Sequence, residues 1–362
     1  METIRVGVVG LGANTRNRHL PGLRACEAVE ITGVCNRTTE STARAAEEFD
    51  IPRSYENWEQ LVEDPDLDAV VIGTWPYLHC PVTLAALEAG KHVLTEARMA
   101  MNASEAHAML EASQQHAELV TQIVPSPLGL RAHQVVLEII ESGRLGPLRE
   151  IAVLATNSAY ADSQEPMHWR QSAEFSGLNA LAMGIVHEPL VRWVPDPVEV
   201  LAQDTIFTSS RPDPITGEPQ SVGTPDSMHI LTRLPDGARG IYHISGVVHG
   251  GPSPQIHLYG EQGTLKYLLA PQDQLLLAPA GGEFAEVEVP AEKVGGWRVE
   301  EEFVAAIRGE EKIKFNDFSV GVLDSVAVAA ERLGLASADI LSRAILFSHG
   351  TTVATNALLE RK

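Results

Sequence analysis

The chain is poor in cysteine, in basic residues and in long apolar runs, and each shortage excludes a class of protein. Its three cysteines, Cys26, Cys35 and Cys80, form no Cys-x-x-Cys pair, which excludes a disulfide framework and favours a reducing compartment. Its 27 lysines and arginines against 48 acidic residues give a formal net charge of −21, which disfavours nucleic acid as a partner. No apolar run reaches the ~18–20 residues that span a bilayer. The first residues enter a strand without the pattern of a secretory signal peptide. We expect a cytoplasmic protein without a membrane partner.

The first third of the chain alternates short apolar runs with helical patterns. This alternation predicts a Rossmann-type α/β domain with a parallel sheet over residues 1–124. Asn102 and Glu105 have the spacing of a capping box at the start of one helix. The predicted strands are 4–9, 29–35, 67–73, 91–95 and 119–124.

After Pro127 the pattern changes to strands separated by turn residues. Hairpins are predicted across Asp236-Gly237 and across Gln262-Gly263. Residues 125–318 are therefore predicted to form an α+β domain with a mostly antiparallel sheet. Helices near 178–193 and 297–308 are expected to cover one face of that sheet.

A glycine turn, Gly10-Leu11-Gly12, lies between the first strand and the first helix. There Gly10 permits the tight turn, and Gly12 lets the backbone approach a pyrophosphate at the helix N-terminus. Ala13 and Asn14 open that helix and are predicted to contact the cofactor. Thr15 stands where the fingerprint has its third glycine.

The end of the second strand bears on the choice of nicotinamide cofactor. An acidic residue there holds the ribose of NAD, but this chain has Asn36-Arg37-Thr38. Because a guanidinium pairs well with a 2′-phosphate, we predict a preference for NADP(H), with NAD(H) as the alternative. The competing interpretation of Arg37 is an ordinary surface arginine.

Several motifs resemble the glucose-fructose oxidoreductase/inositol dehydrogenase/MocA family over residues ~3–318. They are His19-Leu20-Pro21, Gly73-Thr74-x-Pro76-x-x-His79, Ala89-Gly90-Lys91-His92-Val93, Gly143-x-x-Gly146-Pro147 and Glu301-Glu302-Phe303-x-x-Ala306-Ile307-Arg308-Gly309. The resemblance implies hydride transfer between a sugar-like or polyol-like alcohol and nicotinamide. It implies a homodimer or homotetramer formed through the second-domain sheet, and cofactor contacts from Thr74, Pro76, His79 and Glu96.

The chain departs from the two family motifs that carry the chemistry. In the Glu-Lys-Pro motif, Glu96 is kept, but Ala97 replaces the lysine and Arg98 the proline. In the Asp-x-Gly-x-His motif, Met183 replaces the aspartate when His187 is aligned, although alignment on Gly184 would displace His187. We predict His187 as the general base, with Arg98 and Glu96 as its catalytic partners. The competing interpretation of His187 is a core histidine.

The long segment before the His187 helix is predicted to line the substrate pocket. Its candidate substrate residues, together with two on the helix, are Tyr160, His168, Trp169, Arg170, Met183 and Glu188. Asn179 and Arg192 are further polar positions near the helix. The spacing of the histidines predicts no metal site.

Residues 319–362 depart from the family pattern. The run His349-Gly350-Thr351-Thr352-Val353-Ala354-Thr355-Asn356-Ala357 resembles the N-terminal region of hydantoinase A. Because about forty residues are too few for an actin-like domain, we interpret this atypical tail as a remnant of such a protein rather than as an ATP site.

Together these features predict an NAD(P)-dependent oxidoreductase that acts on the CH–OH group of a sugar-like, polyol-like or cyclic small molecule. Its catalytic site is non-standard. Two alternatives stay open: a non-redox lyase or hydrolase with tightly bound nicotinamide, and an inactive cofactor-binding protein.

Overall fold

The computed structural model describes residues 2–177 and 181–310, which form two compact units. The first unit contains residues 2–125 and 298–310, and the second contains residues 126–297 except for 178–180. Asn179, the end of the predicted second domain (311–318) and the hydantoinase-like tail (319–362) lie outside the described residues.

The first unit is built on a six-stranded parallel sheet of order β3-β2-β1-β4-β5-β6. Its strands are β1 (Ile4–Val9), β2 (Val29–Cys35), β3 (Arg53–Ser54), β4 (Ala69–Ile72), β5 (His92–Thr95) and β6 (Thr121–Ile123). Its helices are α1 (Leu20–Ala25), which follows a π-helical turn (Thr15–His19), α2 (Thr39–Glu48), α3 (Trp58–Glu63), α4 (His79–Glu88) and α5 (Ala103–Gln115). This order is that of a Rossmann fold and confirms the predicted fold class.

Local sequence explains where these elements begin. Strand β4 is buried along its whole length, as expected for a central parallel strand covered on both faces. Helix α5 begins where Asn102 Oδ1 accepts a hydrogen bond from the Glu105 N–H (2.9 Å). Strand β3 was not predicted because its two residues are too few to show a pattern.

The last described helix, α9 (Val299–Ile307), belongs to the first unit. The Gln122 side-chain amide donates to the Val299 carbonyl (3.3 Å), and Arg308 donates to the Glu27 carbonyl. The prediction that this helix covers the second-domain sheet is therefore wrong. An amphipathic pattern shows that a helix buries one face, but not which sheet that face covers.

The second unit is built on an eight-stranded sheet of order β16-β15-β14-β13-β7-β12-β11-β8. Its strands are β7 (Leu148–Thr156), β8 (Glu199–Thr205), β11 (Ser227–Arg233), β12 (Arg239–Ser245), β13 (Gln255–Gly260), β14 (Gly263–Leu268), β15 (Gln274–Pro279) and β16 (Ala285–Glu286). A separate pair is formed by β9 (Ser210–Pro212) and β10 (Pro219–Ser221). Only β7 and β12 pair in parallel within the large sheet, so the predicted mostly antiparallel α+β architecture is confirmed. Both predicted hairpins are present.

Among the described residues of this unit, three α-helices accompany the sheet: α6 (His133–Glu141), α7 (Ala173–Ser176) and α8 (Met183–Val191). Apolar residues of α6 and α8 pack with alternate residues of the sheet to form the core of this unit. The opposite face of the sheet carries the intervening residues, because successive side chains of a strand point to opposite faces. No helix in the described residues is long and apolar enough to span a membrane.

Candidate dinucleotide site and catalytic residues

The glycine turn is held against the neighbouring strand ends of the first unit. Gly10 has φ = +87°, and a Cβ there would lie 2.7 Å from the Thr74 Cγ2 atom. The Leu11 N–H donates to the Asn36 Oδ1 (2.8 Å), which ties the turn to the end of β2. Gly12 and Ala13 are exposed at the start of the following helix. This is the geometry of an anion site at the carboxyl end of a parallel sheet.

The structure explains how Thr15 replaces the third glycine. Its Oγ1 donates to the Gly10 carbonyl (3.2 Å) and occupies the space above Gly73. A Cβ on Gly73 would lie 2.0 Å from Thr15 Oγ1 and 2.4 Å from the Gly10 oxygen. In the fingerprint, the third glycine allows the helix to pack closely against the sheet. Here Gly73, directly after the neighbouring strand β4, leaves the space that this close packing needs.

Two of the three residues that follow β2 have side chains that form hydrogen bonds within the protein. The Asn36 side chain accepts from the Leu11 N–H and donates to the Ser41 carbonyl (3.1 Å). Thr38 caps α2 by accepting from the Ser41 N–H (3.2 Å). Asn36 and Thr38 thus support the turn and the helix, and their contact with the cofactor stays a prediction. Arg37 is exposed, and its guanidinium lies 5.7 Å from the centre of the Trp75 ring.

His79 lies at the start of α4 and is 1% exposed. Its Nδ1 lies 2.5 Å from the Arg98 carbonyl oxygen, and its Nε2 lies 3.0 Å from the Thr74 carbonyl oxygen. Burial lowers the pKa of His79 below its ordinary value, although the two carbonyl oxygens that its ring nitrogens face act in the opposite direction. The prediction that His79 contacts the cofactor is corrected: its ring connects the loops after β4 and β5. Pro76 is also buried, while Thr74 is half-buried.

Glu96, after β5, is the centre of a buried polar network. One carboxylate oxygen lies 3.0 Å from the His19 Nε2 and also accepts from the Asn14 amide. The other accepts from the Ala97 N–H (3.2 Å). On the far side of the imidazole, Nδ1 lies 2.5 Å from a Glu300 carboxylate oxygen. Burial would raise the pKa of Glu96, but its hydrogen bond to His19 lowers the pKa below its ordinary value.

The two positions that differ from the family motif lie next to Glu96. Ala97 is exposed, so no side-chain cation stands at the position of the family lysine. The Arg98 side chain is half-buried, and its backbone carbonyl faces His79.

His187, in the second unit, is buried on α8. Its Nδ1 lies 2.9 Å from the Tyr242 hydroxyl oxygen. Burial lowers the pKa of His187 to about 4, so the ring is neutral near pH 7. Met183, one turn earlier, is 1% exposed and belongs to the core of this unit.

Glu188 has a structural partner on its own helix. The Arg192 guanidinium donates to both carboxylate oxygens of Glu188, with an Nε–Oε1 distance of 2.9 Å. The same guanidinium donates to the Ser126 carbonyl (2.9 Å). The prediction that Glu188 binds substrate is corrected to a buried ion pair that fixes the end of α8.

The loop that carries the other substrate candidates is held by a buried arginine. The Arg211 guanidinium donates to the carbonyl oxygens of Tyr160 (2.5 Å) and Asp162 (2.6 Å). Further along the loop, the His168 and Trp169 rings lie 5.6 Å apart, and the Arg170 guanidinium lies 4.2 Å from the Trp169 ring. His168 and Arg170 are exposed, so the loop presents an aromatic and cationic cluster.

In the described residues, no group of three or more His, Cys, Asp or Glu side chains is arranged to hold a metal ion.

Comparison with known proteins identifies the fold. A profile described as "Oxidoreductase family, NAD-binding Rossmann fold" matches residues 4–123, and one described as "GFO/IDH/MocA C-terminal domain" matches residues 133–266. The chain belongs to this oxidoreductase family. Its first unit is the NAD-binding Rossmann fold of the family.

Individual relatives in the family are distant. The levoglucosan dehydrogenase of Pseudarthrobacter phenanthrenivorans is 24% identical over 268 residues, which are 69% of this chain and 68% of the relative. The 1,5-anhydro-D-fructose reductase of Ensifer adhaerens is 32% identical over 204 residues, 55% of this chain and 59% of the relative. A solved structure of levoglucosan dehydrogenase with NADH and L-sorbose has a TM-score of 0.74 at 21% identity and covers 92% of this chain and 98% of its own.

Sequence reasoning did not predict four side chains that organise these regions: His19, Glu300, Tyr242 and Arg211. His19 was visible in the His-Leu-Pro motif, but no ligand or partner was assigned to it. Glu300 lies 281 residues from His19 in the chain, so no local spacing connects the two.

Proposed function

We propose that this protein is an NADP(H)-preferring oxidoreductase that oxidises or reduces a CH–OH group of a sugar-like, polyol-like or cyclic small molecule. The observation that carries the proposal is the glycine turn packed at the carboxyl end of the sheet, in a chain of an NAD-binding oxidoreductase family. The names of the two relatives, a levoglucosan dehydrogenase and an anhydrofructose reductase, support a sugar-like substrate.

The preference for NADP(H) is supported by the surroundings of Arg37. The guanidinium is exposed just after β2, next to the first turn of α2, which carries the hydroxyls of Thr39 and Ser41 and one carboxylate, Glu40. A 2′-phosphate there would gain a charge-assisted hydrogen bond and the positive end of the helix dipole. No acidic side chain of the Asn36-Arg37-Thr38 segment would repel it.

A bound nicotinamide would supply the hydride acceptor or donor. In the oxidation direction the substrate C–H bond breaks, and its hydrogen leaves with the electron pair as the hydride. The hydroxyl proton passes to a base, and we assign that role to His187. If the His187 Nδ1–H donates to the Tyr242 oxygen, the Nε2 lone pair is left to accept the proton.

The test is cofactor turnover with a panel of sugars, anhydrosugars and polyols. We expect absorbance at the nicotinamide band to change with substrate, faster with NADP(H) than with NAD(H). His187→Ala should abolish turnover and leave dinucleotide affinity unchanged, whereas unchanged turnover would remove His187 from the mechanism.

Two outcomes would favour the alternatives. Product formation without net cofactor turnover would indicate a non-redox enzyme with tightly held nicotinamide. Tight dinucleotide binding without product from any member of the panel would support an inactive cofactor-binding protein.

We also propose that the protein forms a homo-oligomer through the outer face of the eight-stranded sheet. Leu201, Leu231 and Ile241 are directly opposite one another on β8, β11 and β12, and they are 68%, 53% and 51% exposed. A contiguous apolar row of this kind is typical of an isologous interface. Leu231→Glu should convert the assembly to monomer in analytical ultracentrifugation, while Gln114→Glu, at an exposed position of α5 in the first unit, should leave it intact.

A further inference from the structure

His19 is enclosed between two carboxylates within the first unit. Its side chain has no exposed surface, with Glu96 on its Nε2 side and Glu300 on its Nδ1 side. An ionised carboxylate accepts hydrogen bonds and cannot donate them, so both ring nitrogens must carry protons. The geometry therefore requires an imidazolium. The pKa of His19 agrees: burial would lower it, but the hydrogen bonds to Glu300 and Glu96 raise it to about 9.

Glu300 reaches His19 because helix α9 packs beside α1 in the first unit. Helix α9 follows the whole second unit in the sequence, yet Glu300 in its first turn is 3% exposed beside α1. A Cβ on Gly22 would lie 2.7 Å from a Glu300 carboxylate oxygen, so any side chain at this position of α1 would displace the Glu300 carboxylate. The hydrogen bond from Gln122 to the Val299 carbonyl fixes the start of the helix.

The same network extends to the cofactor turn. Glu96 binds the Asn14 amide, and Asn14 lies two residues after Gly12. Glu96 itself follows β5, in the half of a Rossmann sheet that binds the nicotinamide mononucleotide. A continuous row of hydrogen bonds thus joins Glu300, His19, Glu96 and Asn14.

We propose that Glu300 is a positioning residue of the dinucleotide site: through the His19 imidazolium it holds Glu96 and Asn14 in the arrangement that accepts the cofactor. The inference rests on the proposed function, because it assumes that the glycine turn binds a nicotinamide dinucleotide. Loss of the His19 proton removes one of the two hydrogen bonds that the ring donates, so dinucleotide affinity should fall when His19 titrates.

Few other titratable groups face this network. Glu96 and Glu300 contact His19 directly, His79 lies near Glu96, and Cys26 lies near Glu300. His79 has a lowered pKa, and Cys26 has a raised one because of burial and the nearby Glu301 and Glu300 carboxylates. Because Glu301 and Glu300 both raise the pKa of Cys26, whereas only Glu300 and Glu96 raise that of His19, a transition near pH 9 that moves in Glu300→Gln but not in Glu301→Gln is assigned to His19.

The experiment measures the affinity for NADPH and NADH by fluorescence between pH 7 and pH 10, because reduced cofactors tolerate alkaline solution. In the wild type we expect affinity to fall about three- to tenfold, as expected for loss of a charge-assisted hydrogen bond, with a midpoint near pH 9. In Glu300→Gln the midpoint should move down by at least one pH unit. Glu301→Gln is the matched control, because Glu301 is exposed on the same helix and binds Arg298.

A purely structural role for Glu300 would lower affinity by the same factor at every pH and leave the midpoint in place, and that result would overturn the proposal. Nitrogen NMR of the wild-type histidines tests it without a variant: a His19 ring with only one protonated nitrogen at pH 7.5 would overturn it as well. Wild-type protein that binds neither cofactor would overturn the proposed function and this inference together. Normal binding with an unmoved midpoint in Glu300→Gln would overturn only the inference.

Discussion

Raising the pH from about 6 to about 10 should lower the unfolding free energy of the first unit, by an amount that depends on how far the fold shifts the pKa of His19. Burial would lower the pKa of this ring, but the hydrogen bonds to Glu300 and Glu96 raise it from 6.5 to about 9. Since the folded state binds the proton more tightly than the unfolded state, His19 stabilises the fold fully below pH 6.5. The stabilisation declines as pH rises and is lost above pH 9. A shift of this size corresponds to about 3 kcal/mol.

The measurement is urea unfolding at a series of pH values for the wild type and for His19→Gln. Because a chain with two units need not unfold in one step, the first unit should be followed separately by amide exchange of peptides from β1 and β4. His107→Gln is the control, since His107 is exposed on α5 and its Nδ1 faces the Ala103 carbonyl of the same helix.

We expect the wild type to exceed His19→Gln in unfolding free energy by the largest margin near pH 6. That margin should shrink by about 3 kcal/mol by pH 10, while the margin between the wild type and His107→Gln stays constant. A margin for His19→Gln that does not change with pH would refute the reasoning, because it would mean that His19 is not a cation in the folded protein.

Three further predictions follow from single side chains. Gly73→Ala should destabilise the first unit by about 2–4 kcal/mol in urea unfolding, because the new Cβ meets Thr15 and the Gly10 carbonyl; a loss under about 1 kcal/mol would contradict the packing described. Arg37→Ala should weaken NADP(H) binding about 10- to 100-fold and leave NAD(H) binding unchanged in calorimetry, whereas equal effects on both would exclude a 2′-phosphate contact. The unfolding free energy of the second unit should fall by about 3 kcal/mol between pH 6.5 and pH 4, because His187 binds a proton in the unfolded chain at a higher pH than in the buried site. In His187→Asn, amide exchange of α8 peptides should depend less on pH in this range.

The fold class could be predicted because its evidence is local and repeated. Buried parallel strands appear as apolar runs, and the glycine turn has a fixed place between β1 and the first helix. The helix at 299–307 was predicted as a helix and assigned to the wrong sheet. Its amphipathic pattern is local information, whereas its packing against α1 depends on contacts between residues nearly 300 positions apart in the chain.

The site was predicted less completely because residue type does not show which partner a side chain has. Asn36 and His79 are polar residues in the loops predicted to bind the cofactor, and in the structure the side chains of both form hydrogen bonds within the protein. Glu188 was predicted to line the substrate pocket, and Arg192 four residues later was the available sign of an i,i+4 ion pair. Arg37 was predicted as a cofactor ligand and is exposed, which leaves that prediction open to test.

Two of the buried histidines, His19 and His187, have opposite electrostatic surroundings, and the difference bears on the chemistry because Ala97 replaces the family lysine. His19 lies between two carboxylates and is charged, but its two ring protons are already donated to Glu300 and Glu96. It can hold a neighbour in place and cannot accept a proton. His187 lies against a phenol in an apolar core and is neutral, so it can accept one. A base with a pKa of about 4 is weak in the free protein, so proton transfer to it requires that the imidazolium be stabilised once substrate is bound. We therefore expect the turnover rate to depend on a group that the substrate itself brings near His187, and substrates with an anionic or strongly polar neighbour to the reacting hydroxyl should react faster than their simple alcohol analogues.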